Sequence, residues 1–345
     1  MAYLPRHESH RKKKSKFPYL FLLFFLGLAI FGYFQERKIR LFFTKDQKQK
    51  IEKQKAKIQV AIEKNELIET YVRDFDTYSV DFLDKDPLDP SSIHYRARSY
   101  YYSLLLNGLQ FDSASLIAHI DEPISQIFGD SNKTKDDFAK IFRYARMAES
   151  IKDDFPEYES NKFLLFLTEA YRERKNFPNI YKEYSLLDTK SLESEFHHPT
   201  VWLLVYSAVR SGNTKDLEKL LEANKADDFL GKILLTEREE NFLNGMCYYY
   251  AKDFVPALNY LRKSKSDFPD FITEKSLLME ARIFYAQNLH QKAVDLLSVG
   301  LNNTKKKNQE YKKQLKAWIA ERPNLKTNVD LTEAKAIDTD LLDED

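Results

Sequence analysis

The residues that could do chemistry in this chain are few, and their spacing is unhelpful to it. His197 and His198 stand together before Pro199. A metal centre would need further ligands, and neither cysteine nor another histidine is near in sequence. Asp74, Asp76, Asp81, Asp84, Asp86 and Asp89 form an acidic run. A calcium loop, however, needs Asp-x-Asp-x-Asp-Gly with a closing Glu, and this run has no glycine. Cys247 is the only cysteine; it cannot form an internal disulfide and reads as a small buried hydrophobe. No Gly-x4-Gly-Lys-Ser/Thr phosphate loop, His-Glu-x2-His zinc helix or Gly-x-Ser-x-Gly elbow occurs. The expectation is therefore a protein that is not an enzyme, with no cofactor and no metal. Its remaining carboxylates read as solvated helix faces.

The elements that would carry any other activity are helices. Gly and Pro are scarce, at 8 and 11 of 345 residues, and long stretches are apolar at i, i+3, i+4 and i+7, so the class is all-α. Between Arg238 and Phe271, Gly245 is followed by Tyr248, Ala257, Leu261 and Pro269. Ala281, Phe284, Ala293 and Leu297 repeat the first four at an offset of 36 residues (281−245). Small residues at Gly245 and Ala257 let two helices cross closely, Tyr248 and Leu261 fill the space beside the crossing, and Pro269 ends the second helix. Degenerate copies are Leu164, Tyr171, Phe177, Ile180 and Tyr184; Trp202, Leu204, Gly212-Asn213, Leu217 and Leu221; and Tyr102, Leu105, Phe111 and Ala114 around Asn107-Gly108.

This order resembles the tetratricopeptide repeat, a helix–turn–helix unit of about 34 residues. The resemblance covers residues 92–307 and implies an α-solenoid of helical hairpins. In that family the first helix of each hairpin lines a concave groove. Carried onto this sequence, the groove positions are Trp202, Tyr206, Arg210, Phe242, Met246, Tyr249, Tyr250, Leu278, Arg282 and Tyr285. Aromatic and arginine side chains dominate peptide hot spots, so the resemblance implies a scaffold or adaptor holding a protein or peptide partner. The bland reading is that many of these rings pack inside the solenoid. Phe242 and Met246 stand where the family's carboxylate clamp has Lys and Asn, which argues against binding of chaperone C-terminal tails.

Outside the repeats, residues 1–16 form a basic tail with Arg6, Arg11, Lys12, Lys13, Lys14 and Lys16. The uncharged run Phe17–Phe34 follows. As a helix it would span roughly 27 Å at about 1.5 Å per residue, near the hydrocarbon thickness. It reads as a single transmembrane helix, because the apolar core is longer than a cleaved signal's and no small-x-small exit precedes Gln35. The basic tail places the C-terminal domain outside the cytoplasm, although Arg37, Lys38, Arg40 and Lys45 weaken that bias. The anchor–linker–repeat order is similar to bacterial membrane-anchored, translocon-associated tetratricopeptide proteins with chaperone-like roles.

Residues 35–73 read as a juxtamembrane helical stalk. Ile51, Ile58, Asn65 and Val72 lie seven apart, with Ala61 and Ile68 at the alternate seam positions. This is a short coiled-coil seam compatible with a parallel homodimer, or with a single stalk helix packing on the first repeat; Gln54 on the seam favours the latter. Such a dimer would make the protein a structural organiser of an envelope complex. Residues 74–91 read as an acidic linker, 308–320 as a capping helix carrying Tyr311, Leu315, Trp318 and Ile319, and 321–345 as an acidic disordered tail. With a net charge of +1 and no basic face in the repeats, nucleic-acid binding is not expected.

Overall fold

The architecture comes from a computed structural model that describes residues 17–151, 155–172, 177–188, 190–304, 308–329 and 331; within 17–43, side chains are described only for 22–29 and 31–32. Among the described residues every regular element is a helix. The basic tail, and the acidic tail past residue 331, lie outside them.

The first helix, α1 (Phe17–Glu63), runs 47 residues without a break, about 70 Å at 1.5 Å per residue. Two halves behave differently. Leu22, Leu23, Phe24, Phe25, Leu26, Leu28 and Phe31 are exposed, whereas Ile51, Ile58 and Ala61 are buried. Among the described residues no helix is long and apolar enough to cross a membrane. The stalk ends at a turn in which Asn65 takes φ 55°, so the heptad spacing does not continue along one helix. Ile51 and Ile58 belong to the main core, and Gln54 donates to the Tyr71 carbonyl at 3.0 Å. A parallel dimer through this seam would have to undo that packing.

The acidic stretch is helical rather than a linker. Helix α2 (Glu69–Lys85) buries Val72, Phe75, Ser79 and Phe82, and turns Asp74, Asp81 and Asp84 away from that stripe, while Asp76 pairs with Arg96 of the next helix. Positions i, i+3, i+7 and i+10 lie on one stripe. Asp89 then caps α3 (Pro90–Leu106), accepting from the Ser91 N–H with Pro90 in the first turn.

From α3 onward the chain alternates between two ends. The helices are α4 (Ser113–His119), α5 (Ile124–Phe128), α6 (Asn132–Ser150), α7 (Tyr158–Arg172), α8 (Phe177–Tyr184), α9 (Ser194–Ser211), α10 (Thr214–Lys225), α11 (Glu237–Tyr250), α12 (Phe254–Lys263), α13 (Phe271–Ala286), α14 (His290–Asn303) and α15 (Gln309–Glu321). Paired helices are α3 with α6, then α7–α8, α9–α10, α11–α12 and α13–α14. The first members also touch in sequence, α3 to α7, α7 to α9, α9 to α11 and α11 to α13.

One turn is used five times among the described residues. Asn65, Gly108, Gly212, Lys252 and Asn288 all have positive φ, at 55°, 97°, 66°, 60° and 64°. Each donates its N–H three residues back, and the next residue donates five back, as in Asp253 to Tyr248 and Leu289 to Phe284. This double bond satisfies the carbonyls at the end of a helix and reverses the chain. Gly245 confirms the close crossing: a Cβ there would lie 2.8 Å from Leu261 Cγ. Ala257, Ala281, Ala293 and Leu297 are fully buried, while Tyr248 lies half-buried, stacked on Tyr260 at 5.5 Å.

Two expectations fail here. Phe111 and Ala114 do not belong to a second repeat helix, because residues 109–131, with α4 and α5, are an insertion between α3 and its partner α6. The chain after Glu321 is also not all free: Leu325 and Val329 are buried against the α13–α15 cluster, and Gln291 donates to the Lys326 carbonyl at 2.8 Å.

Candidate functional site

The first helices of the hairpins share one face, and the insertion crosses it: α4 contacts α9, α11 and α13. On α9, the Trp202 indole N–H donates to the Asp112 carbonyl at 2.9 Å, and its ring meets Phe111 and Phe128 at 5.7 and 5.5 Å. One turn on, Tyr206 donates to the Glu122 carbonyl at 2.7 Å. Arg210, another turn along, reaches the Ile120 carbonyl at 3.5 Å and the Tyr250 hydroxyl at 2.8 Å. From α13, Arg282 and Lys275 converge on Asp121, each at 3.3 Å. The i, i+4, i+8 spacing on α9 is what aims all three side chains at one strip of backbone.

Of the ten expected groove residues, then, Trp202, Tyr206, Arg210 and Arg282 bond the chain's own insertion. Phe242 and Met246 sink into the main core and Leu278 into the C-terminal cluster. Tyr249 and Tyr250 sit half-buried at the rim; burial pushes the Tyr250 phenol up to about 12. Tyr285 turns away, stacking on Trp318 of α15 at 4.5 Å. Pro269 lies in the α12–α13 connection, as its ring requires.

The insertion is held too firmly to be a casual occupant. Leu109, Phe111, Leu116, Ile117, Ile120, Ile124 and Phe128 are all buried. At about 1.5–3 kcal/mol per buried large side chain, they contribute on the order of 10–20 kcal/mol, an upper bound. A ligand would have to offset all of it.

A second constellation was hidden from sequence reasoning, because its members lie far apart in the chain. Arg98 on α3 is fully buried. Its Nη2 pairs with Glu195 at 2.8 Å, its Nη1 with Glu193, and its Nε donates to the Tyr102 hydroxyl at 2.8 Å. Glu193 also accepts from Lys55 of α1 at 2.8 Å and from Ser160 at 3.0 Å. Nearby, Tyr95 donates to Glu157 at 2.6 Å and also meets Glu52 of α1. Burial raises the Glu195 carboxyl despite Arg98. It acts on Glu193 too, but there Arg98 and Lys55 prevail and hold the carboxyl at about 2. His94, buried and beside Arg98, falls to about 4, so its ring is neutral. Glu195 borders a cavity of about 530 Å³ with Gln59, Asn65, Gln110 and His198. Its oxygens are already taken by Arg98 and Tyr102, which makes it part of a clasp joining α1, α3 and the start of α9.

His197 and His198 hold backbone. His197 Nε2 lies 3.0 Å from the Leu192 carbonyl, and the two His198 nitrogens lie 3.0 and 2.7 Å from the carbonyls of Lys232 and Phe111. No cluster of three or more His, Cys, Asp or Glu that could hold a metal occurs among the described residues. Burial pushes the Cys247 thiol up to about 12, so it is no nucleophile. No family model matches this chain, and no curated protein or solved structure matches it either. Function must be read from the geometry itself.

Proposed function

We propose that this chain is a membrane-anchored, tetratricopeptide-like α-solenoid that works as a protein-interaction scaffold. The observation that carries the reading is the recurring hairpin turn, with Lys252 and Asn288 in the same positive-φ position 36 residues apart (288−252). Successive first helices in contact, with α15 closing the last hairpin, support the same architecture. The anchor rests on the uncharged Phe17–Phe34 run and on its exposed leucines and phenylalanines, a larger apolar surface than water tolerates on a lone helix. The basic tail favours a repeat domain on the far side of a bacterial cytoplasmic membrane.

Because the insertion fills the inner face, the partner surface in this reading is the rim where Tyr249, Tyr250 and Phe254 stay half-buried, rather than the groove floor. Proximity labelling from the C-terminal domain in native membranes tests it, with carbonate extraction as the companion measurement. The expected result is a membrane-resident protein with an enriched neighbour that is lost in Tyr249→Ala while the helical signal persists. Release by carbonate would remove the anchor, and an unchanged neighbour would remove the rim.

A further inference from the structure

The cavity of about 530 Å³ beside Glu195 is walled by the last turn of α1, by α3, by the start of the insertion and by the start of α9. Its apolar wall is Ile62, Leu105, Leu109, Phe111 and Pro199. The polar side chains around it fall into two sets, and the first is already committed. Glu195 is taken by Arg98 and Tyr102, and His198 lies between the Lys232 and Phe111 carbonyls. Asp112 accepts from the N–H and the hydroxyl of Ser115, at 2.6 and 3.0 Å. These bonds hold the walls in place, so a ligand meets a site already formed.

The second set is free. Tyr101 is 1% exposed, with its ring edge-on to Phe163 at 5.9 Å, yet its hydroxyl bonds to none of the other described residues. Burial and the nearby Glu195 push the phenol well above its ordinary range, so it keeps its proton. A buried hydroxyl without a partner is unfavourable, and the open space beside this one is the cavity. The side chains of Gln59, Gln110 and Ser194, which also line the cavity, likewise bond to no other described residue. The sign of the charge is as plain. No lysine or arginine lines the cavity, and Arg98, behind its wall, is matched by Glu193 and Glu195. Glu63 and Asp112 line it and pair with no cation among the described residues. Two uncompensated carboxylates beside an apolar wall disfavour an anion and attract a cation.

We propose that this cavity binds an ammonium group carried on a short apolar chain, either a free alkylamine or a lysine side chain presented by a partner. An ammonium has three donors and no acceptor. The Tyr101 hydroxyl and the amide oxygens of Gln59 and Gln110 offer three acceptors, and Glu63 supplies the opposite charge. The methylenes lie against Leu105, Leu109 and Phe111, where their burial adds to the binding. The volume falls within the range of small-molecule sites, about 300–1,000 Å³. Neither the membrane anchor nor the aromatic rim enters this assignment, and its failure would leave both standing.

The test titrates pentylamine, pentanol and pentanoate at pH 7 into the full-length chain carrying Trp318→Phe. That change leaves Trp202 as the only tryptophan, and its ring meets Phe111 of the cavity wall at 5.7 Å. The expected result is a saturable fluorescence change with pentylamine, at least tenfold weaker binding of pentanol, and none of pentanoate. Tyr101→Phe, which removes only an unbonded hydroxyl, should weaken pentylamine roughly two- to tenfold, and Glu63→Gln should weaken it and blunt its salt dependence. Both variants should keep the parent melting temperature. A blocked Gly-Gly-Lys-Gly-Gly peptide that competes with pentylamine identifies a partner's lysine as the source; a peptide that fails to compete identifies a free amine. Pentanol or pentanoate binding as tightly as pentylamine overturns the ligand class. Pentylamine binding unchanged in both variants overturns the site, and so does the absence of any saturable change.

Discussion

The α11–α14 hairpins and the α1–α3–α9 region solve the same problem, holding helices side by side, with different physics. Between α11 and α12 the contact is steric: Gly245 leaves room for Leu261, and the reversal is a three-residue turn. The Arg238–Asp270 pair there is open to solvent, with side chains 37% and 41% exposed. The buried Glu280 and Lys275 each pair with groups that lie nearer the surface, Arg262 and Lys265 for the one and Glu310 and Asp121 for the other. The N-terminal region instead buries Arg98 completely among Glu195, Glu193 and Tyr102. Small-residue contacts can be repeated indefinitely, because any hairpin fits any other. A buried charge cluster cannot, because each member needs one particular partner. The charges therefore mark the place where register matters, where the long α1 must dock at a single height.

The sharpest way to break this contrast is Arg98→Met. It leaves Glu193 and Glu195 without their cation, and losing one partner of a buried pair costs about 3–5 kcal/mol. Urea unfolding should show that loss, and Arg98→Met with Glu195→Gln should recover part of it. A surface pair cannot match this: Arg238→Met should cost about 1 kcal/mol or less. Equal effects at the two sites would erase the distinction.

Acidification comes next. His94 is held neutral to about pH 4 by burial and by Arg98, with Glu157, Glu193 and Asn161 also around it. Its folded value lies below the ordinary 6.5, so its contribution is complete above that pH and is lost as pH falls towards 4. The full shift corresponds to about 3 kcal/mol. Glu193 adds a further loss as pH falls from the usual carboxylate range towards 2, whereas Glu195, raised by burial, works in the opposite sense. Hydrogen exchange at pH 5 should loosen α3 and α7 before α13 and α14, and His94→Asn should narrow that gap.

The smallest effect sharpens the regular side of the comparison. Lys252 pays a steric penalty for its φ of 60°, so Lys252→Gly should stabilise by about 0.5–1 kcal/mol in thermal unfolding. Asn288→Gly, at the matching turn, should gain less, since asparagine tolerates that conformation better. A loss at both would mean the two turns are not equivalent.

Much of the regular region was legible in the sequence because its signals are local. Gly245, Ala257 and their counterparts at 281 and 293 repeat at fixed spacing, and Tyr311, Leu315 and Trp318 mark α15 by a helical stripe. The rest was hidden for physical reasons. Asp74, Asp81 and Asp84 lie on the far side of α2 and masked the buried Val72, Phe75 and Phe82. Arg98 and Glu195 are 97 residues apart, so no spacing announces them. Helical register puts Trp202, Tyr206 and Arg210 on one stripe of α9, but nothing local to Phe111 or Ile120 says that they cover that stripe.

The bonds made by the insertion also bear on when the molecule can finish folding. Its links to Trp202 and Tyr206 close over 90 and 84 residues, and the link from Asp121 to Arg282 over 161. Contacts that distant form slowly, because loop-closure entropy is lost before they return anything. A growing chain would hold Ile117, Ile120 and Ile124 uncovered until α9, α11 and α13 arrive, and those minutes or seconds of exposure are when aggregation competes. The segment that links α9, α11 and α13 is thus among the last to settle, and shortening the chain at its far end should be felt there first.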